Sequence, residues 1–88
     1  DLSDVADAAT ARTNLGILSG KHTWLGTTDT NTFTVSGVTA NSIITINKSS
    51  SSNATISIVS SSTDNITITM DNIIGPGLTF NYIVVIIP

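Results

Sequence analysis

From residue 22 onward the chain is a succession of short runs in which apolar side chains alternate with threonine, serine or asparagine. A period of two sends successive side chains to opposite faces of an extended chain, so each run describes a strand with one buried and one wet face. Six such runs stand at 22–25, 32–36, 42–47, 54–59, 65–70 and 78–86, and the gaps between them are rich in Gly, Asn, Asp and Ser, residues that turn a chain. Phe33 with Val35, Ile44 with Ile46, Ile56 with Ile58, and Ile66 with Ile68 and Met70 read as inward faces. Thr34, Thr45, Ser57, Thr67 and Thr69 read as outward ones. Thirteen isoleucines support this reading, because branching at Cβ suits a pleated surface. Strands at this spacing predict a mainly β fold, a small antiparallel sandwich or barrel.

The last run departs from the pattern. Leu78, Phe80, Tyr82, Val84 and Ile86 fall on one side, and Ile83, Val85 and Ile87 on the other. A strand apolar on both faces is covered on both; the expected cover is another copy of the chain, and the alternative is a central strand under a loop of the same subunit. Gly75, Pro76 and Gly77 predict a sharp turn before it. That turn sets the register, since a slip of one residue exchanges the Phe80 face with the Ile83 face.

The first 20 residues have a different texture. Ser3 is a good helix N-cap, Asp4 puts negative charge in the first turn, and an alanine-rich stretch leads to Gly16 at a C-terminal capping position. The helix expected over 2–14 carries a narrow stripe at Val5, Ala8, Ala9, Arg12 and Leu15. Such a short helix is marginal alone in water, and its small residues suit close packing against symmetry mates. The expected organisation is a helical junction segment, 1–20, followed by a β domain, 21–88.

A chain of 88 residues buries only roughly 60–70% of its unfolded surface, and folds of this size generally need a staple. There is no cysteine, His22 is the only imidazole, and the six carboxylates are scattered singly. Disulfides are excluded, and no cofactor or metal site is expected. Oligomerisation is the staple that remains. Only 10% of residues are charged, against about 25% in an ordinary domain, which also points to surface shared with a partner. The net charge is −3, and the basic residues Arg12, Lys21 and Lys48 do not cluster. Phosphate backbones are held by clustered cations, so no nucleic-acid binding is expected. No run reaches the roughly 18 apolar residues of a membrane span, so no membrane insertion is expected. The chain opens on Asp1 without a signal-peptide pattern, and a fragment or processed form is the expectation.

No catalytic residues are assigned. Nucleophilic catalysis needs a base within reach of the nucleophile, and no Gly-x-Ser-x-Gly elbow accompanies His22. Asp29, Asp64 and Asp71 fall in predicted turns, where Asp caps backbone amides. Asn47, Asn53 and Asn65 open glycosylation sequons, read here as turn and strand residues. The serine-rich loop holding Lys48, Ser50, Ser52 and Asn53 reads as a flexible hairpin connection. Its functional reading is a set of receptor contacts, since loops on a rigid scaffold carry recognition. Trp24 reads as packing at the domain junction, and Tyr82 as core or interface.

Residues 2–17 resemble a motif of bacteriophage tail fibres, loosely Asn-Leu-Ser-Asp-Leu followed by Ala-Arg-x-Asn-Leu-Gly-Leu. Leu2, Ser3, Asp4, Ala11, Arg12, Asn14, Leu15 and Gly16 match; Asp1 replaces the leading Asn, and Val5 and Ile17 are conservative departures. Residues 33–46 and 78–86 are similar, more weakly, to small C-terminal β domains of tail fibres and prophage tail proteins. The resemblance implies a homotrimeric fibre segment or tip, part of the virion and extracellular when it works. It implies attachment to a bacterial surface glycan or an outer-membrane protein; that the chain is not an enzyme is expected from its residues, which supply no nucleophile with a base in reach. The expected trimer interface is Val5, Ala9, Phe80, Tyr82, Ile83, Val85 and Ile87. The rival readings are a module that only registers the three chains, a polysaccharide-degrading enzyme, and a bacterial adhesin module.

Overall fold

The alternating runs fold as strands, and the computed structural model, which describes residues 16–88, holds six of them. They are β1 (Ile17–Thr23), β2 (Thr28–Thr34), β3 (Ile43–Lys48), β4 (Ile56–Ser62), β5 (Asn65–Ile74) and β6 (Thr79–Val85). All pairings are antiparallel and make two three-stranded sheets, ordered β1-β6-β3 and β2-β5-β4. The chain crosses between the sheets at every connection except β4–β5, which is a hairpin closed by Thr63 and Asp64. The helix expected over 2–14, with Val5 and Ala9, lies outside the described residues.

Four expectations are corrected. The first strand begins at Ile17, not residue 22, so 17–20 are paired in the sheet. The ladder extends it: Ile17 through Thr23 lie opposite Val85 through Thr79, and pairing rather than alternation sets its limits. Gly20 reads as a break in the sequence, yet Tyr82 lies across it. A Cβ there would collide with the ring and hydroxyl of Tyr82. The third correction is in β4, where a bulge separates Ile56 from Ile58. One extra residue reverses the facing of the side chains beyond it. Ile56 and Val59 therefore pack on the core while Ile58 is 59% exposed. The fourth concerns Asp29 and Asp71, which lie inside β2 and β5 rather than in turns.

The core lies between the sheets. Phe80 and Val84 of β6 meet Ile66, Ile68 and Met70 of β5, with Trp24, Val38 and Ala54 added from connections. Trp24 is tilted against Phe80 with ring centroids 5.4 Å apart. The His22 ring of one sheet stacks on Phe33 of the other at 4.0 Å and 7°. Phe33 in turn meets Tyr82 at 5.7 Å. Gly77 takes a φ of +99° after Pro76, the order a tight turn requires. Its N–H bonds Trp24 O, and Trp24 N–H bonds Leu78 O, which holds β6 in the register that turns Phe80 inward.

Two outer faces remain, and register composes both. On the sheet β1-β6-β3 the outward rows are Ile17–Val85–Ile43, then Ser19–Ile83–Thr45, then Lys21–Asn81–Asn47. On the sheet β2-β5-β4 they are Thr30–Thr69–Ile58, Thr32–Thr67–Ser60 and Thr34–Asn65–Ser62.

Candidate functional site

Strand direction gives the domain two ends. β1 and β3 run away from Gly16, and β6 returns toward it. The near end therefore gathers Gly16, the 35–42 connection, the Thr63–Asp64 turn and residues 86–88. Several bonds tie it together. Ile86 N–H bonds Gly16 O, Asp64 N–H bonds Val38 O, and the Thr39 hydroxyl bonds Ile87 O. The far end gathers the 24–27, 49–55 and 75–78 connections.

The loop singled out for receptor contact lies at the far end, but it is neither a hairpin nor free. β3 pairs with β6 and β4 with β5, so the loop crosses between sheets. Lys48 Nζ donates to Ser52 O at 2.9 Å and to Ala54 O at 2.5 Å. Ser50 Oγ lies 2.6 Å from Thr79 Oγ1 and accepts Thr79 N–H at 3.0 Å. Ser52 Oγ accepts Ala54 N–H at 3.1 Å. Of the four candidates Lys48, Ser50, Ser52 and Asn53, two spend polar groups on closing the loop, Ser50 ties it to β6, and Asn53 is the exposed one.

The residues expected at a trimer interface separate by facing. Phe80 is fully buried in the chain's own core and Tyr82 is half-buried over Gly20. Phe80 offers nothing to a neighbour, which corrects that expectation: its side of β6 faces the other sheet. Ile83, Val85 and Ile87 do point outward, at 52%, 37% and 39% exposure. Register brings two further side chains to them that the sequence reading did not select, Ile17 and Ile43. Ile43 is 58% exposed. The sequence held one signal for Ile43: it sits on the Thr45 face, opposite Ile44 and Ile46.

The polar residues weighed for chemistry are structural in their contacts. His22 and Asn31 are both buried. Asn31 Nδ2 donates to Leu25 O at 2.9 Å and Thr30 O at 3.0 Å, while Oδ1 accepts Leu25 N–H at 2.8 Å. This orientation puts Oδ1 2.9 Å from His22 Nε2, so Nε2 carries the proton. Asn31 thus acts as a peptide mimic that ties the β1–β2 connection to the core. Asp64, at φ 60°, accepts Gly37 N–H at 2.8 Å. Asp71 accepts Thr55 N–H at 2.9 Å and the Thr55 hydroxyl at 2.8 Å. These bonds hold its carboxyl below the ordinary carboxylate range. Trp24 is wholly buried at the far end, not at a junction near Gly16, because β1 carries it the length of the domain. Among the described residues no group of three or more His, Cys, Asp or Glu is placed to hold a metal ion. Comparison of the chain with protein-family models, curated proteins and solved structures finds no match.

Proposed function

We propose that this chain is the terminal β domain of a homotrimeric tail fibre of a bacteriophage or phage-tail-like particle, with an adhesive and mechanical role and no catalysis. The observation that carries the reading is the in-register apolar row Ile17–Val85–Ile43, extended by Ile83 and Ile87, beside the point where the N-terminal segment joins. Ile43, Ile83, Val85 and Ile87 together expose the equivalent of nearly two whole side chains. Covering them gains about 3–6 kcal/mol per copy. Three copies meeting across an axis supply that cover, and they supply the staple that a cysteine-free chain of this size otherwise lacks. The row also begins at Ile17, where the tail-fibre resemblance of residues 2–17 ends. The far-end connections then point away from the fibre, toward a bacterial surface glycan or outer-membrane protein, with the domain carried on the virion and working outside the cell.

A second reading, a module that registers three chains without touching a receptor, is favoured by one observation: Lys48 and Ser52 are engaged within their own loop, and Ser50 with Thr79 of β6. Light scattering after size exclusion tests the assembly. A mass three times the 9.1 kDa chain, stable on dilution, supports it, and a folded monomer refutes it. Retention on susceptible bacteria then separates the receptor-binding domain from the registering module.

A further inference from the structure

The outer face of β2-β5-β4 holds a three-by-three block of side chains, none of the nine charged, with Asp71 next along β5 beyond Thr69. Eight carry a hydroxyl or amide; Ile58, at one corner, is the exception. Exposed strand faces ordinarily carry lysine and glutamate, which keep them soluble and apart. Here the central row is Thr32, Thr67 and Ser60, with the Thr32 and Thr67 hydroxyl oxygens 2.8 Å apart. Threonine is stiff about χ1, and hydroxyls bonded to each other are held still, so little rotamer freedom is lost when a ligand binds. Strand spacing and rise make the block about 10 Å by 14 Å, long enough for a short run of sugar rings.

We propose that this face binds an uncharged polysaccharide. Chemical complement selects that ligand. An anionic polymer finds no cation in the block, and a chain of net charge −3 repels it. A protein partner needs an apolar or aromatic centre, and the block offers only Ile58 at its edge. A neutral glycan presents hydroxyls that exchange bonds with Thr and Ser hydroxyls, and C–H faces that rest on the threonine methyls. The site is distinct from the Lys48–Asn53 loop. It draws on the proposed function for its strength: if the β1-β6-β3 face meets the trimer axis, the threonine faces of three copies all point outward. Three weak contacts on one repeating polymer then act with an avidity beyond any single one.

The test is retention of the full chain on immobilised dextran, mannan and galactan, with hyaluronate and polysialic acid as anionic controls. Wild type is expected to be retained on at least one neutral polymer and on neither anionic one. Thr32→Val with Thr67→Val keeps shape and β-branching but removes the central hydroxyls, and is expected to weaken retention at least tenfold at unchanged mass and Tm. Asn53→Ala is expected to leave retention unchanged. If the double variant misfolds, Ser60→Ala replaces it, with at least a threefold loss expected. Retention on no neutral polymer, equal retention by the variants, or preference for the anionic polymers overturns the inference. A change of oligomeric mass in the double variant also overturns it, because the face is then a subunit contact. A monomeric wild type whose weaker retention still depends on Thr32 and Thr67 refutes the trimer and leaves the glycan site standing. A trimer with no retention does the reverse.

Discussion

Replacing Asn31 by alanine tests whether the buried amide holds the β1–β2 connection to the core. The side chain makes four hydrogen bonds: it accepts from His22 Nε2 and Leu25 N–H and donates to Leu25 O and Thr30 O. Thr30 is exposed and water replaces its bond, so that loss is small. Leu25 has an exposed side chain and a part-buried backbone, so its N–H and C=O each lose about 1 kcal/mol of net bonding. His22 is buried with a single acceptor for its Nε2 proton, and stranding it costs about 1–3 kcal/mol. The expected loss is about 3–5 kcal/mol. With a urea slope of about 1 kcal/mol/M, the midpoint falls by about 3–5 M. Fluorescence of the wholly buried Trp24 reports the transition, at one fixed protein concentration so that the proposed assembly does not enter the comparison. His22→Phe keeps the stack on Phe33 and removes the ring donor, so the double variant completes a cycle with a coupling of about 1–2 kcal/mol. A loss below about 1 kcal/mol for Asn31→Ala, or no coupling to His22, refutes the clamp.

Other contacts give further expected outcomes. Gly20→Val drives a side chain into the Tyr82 ring and is expected to cost about 1–3 kcal/mol; the Tm measures it, and pairing it with Tyr82→Leu should recover most of the loss. Val85→Asp puts a charge in the middle of the apolar row while leaving the inner core untouched. On the proposed trimer it is expected to give a folded chain of one-third the wild-type mass, and an unchanged mass removes that face from the proposed interface. The Asp71 carboxyl is held low by Thr55, so the stability it contributes is present above its unfolded value and is lost as pH falls through its lower folded value. Acid titration should therefore show a decline beginning near pH 4, and Asp71→Asn should flatten that part of the curve; an identical curve refutes the assignment.

The local part of this fold is legible in the residues alone. Alternation over two residues is a property of neighbouring positions, so Ile44 and Ile46, and Ile66 and Ile68, read directly as inward faces. Gly75, Pro76 and Gly77 read as the turn before the last strand, but that strand is apolar on both sides, so which side turns inward, with Phe80 and Val84, is decided only by the packing of the two sheets. The rest depends on pairing between distant segments. Nothing local says that β3 lies against β6 rather than β4, and only that choice puts Ile43 beside Val85 and makes the Lys48–Asn53 loop a crossover. The bulge in β4 defeats alternation because one extra residue reverses the facing beyond it, so Ile58 turns outward and Val59 inward. Gly20 reads as a break until the ring of Tyr82, 62 positions along the chain, is laid across it. The uncharged threonine block has the same origin. Each strand contributes an ordinary wet face, and the register of three strands makes those faces one surface.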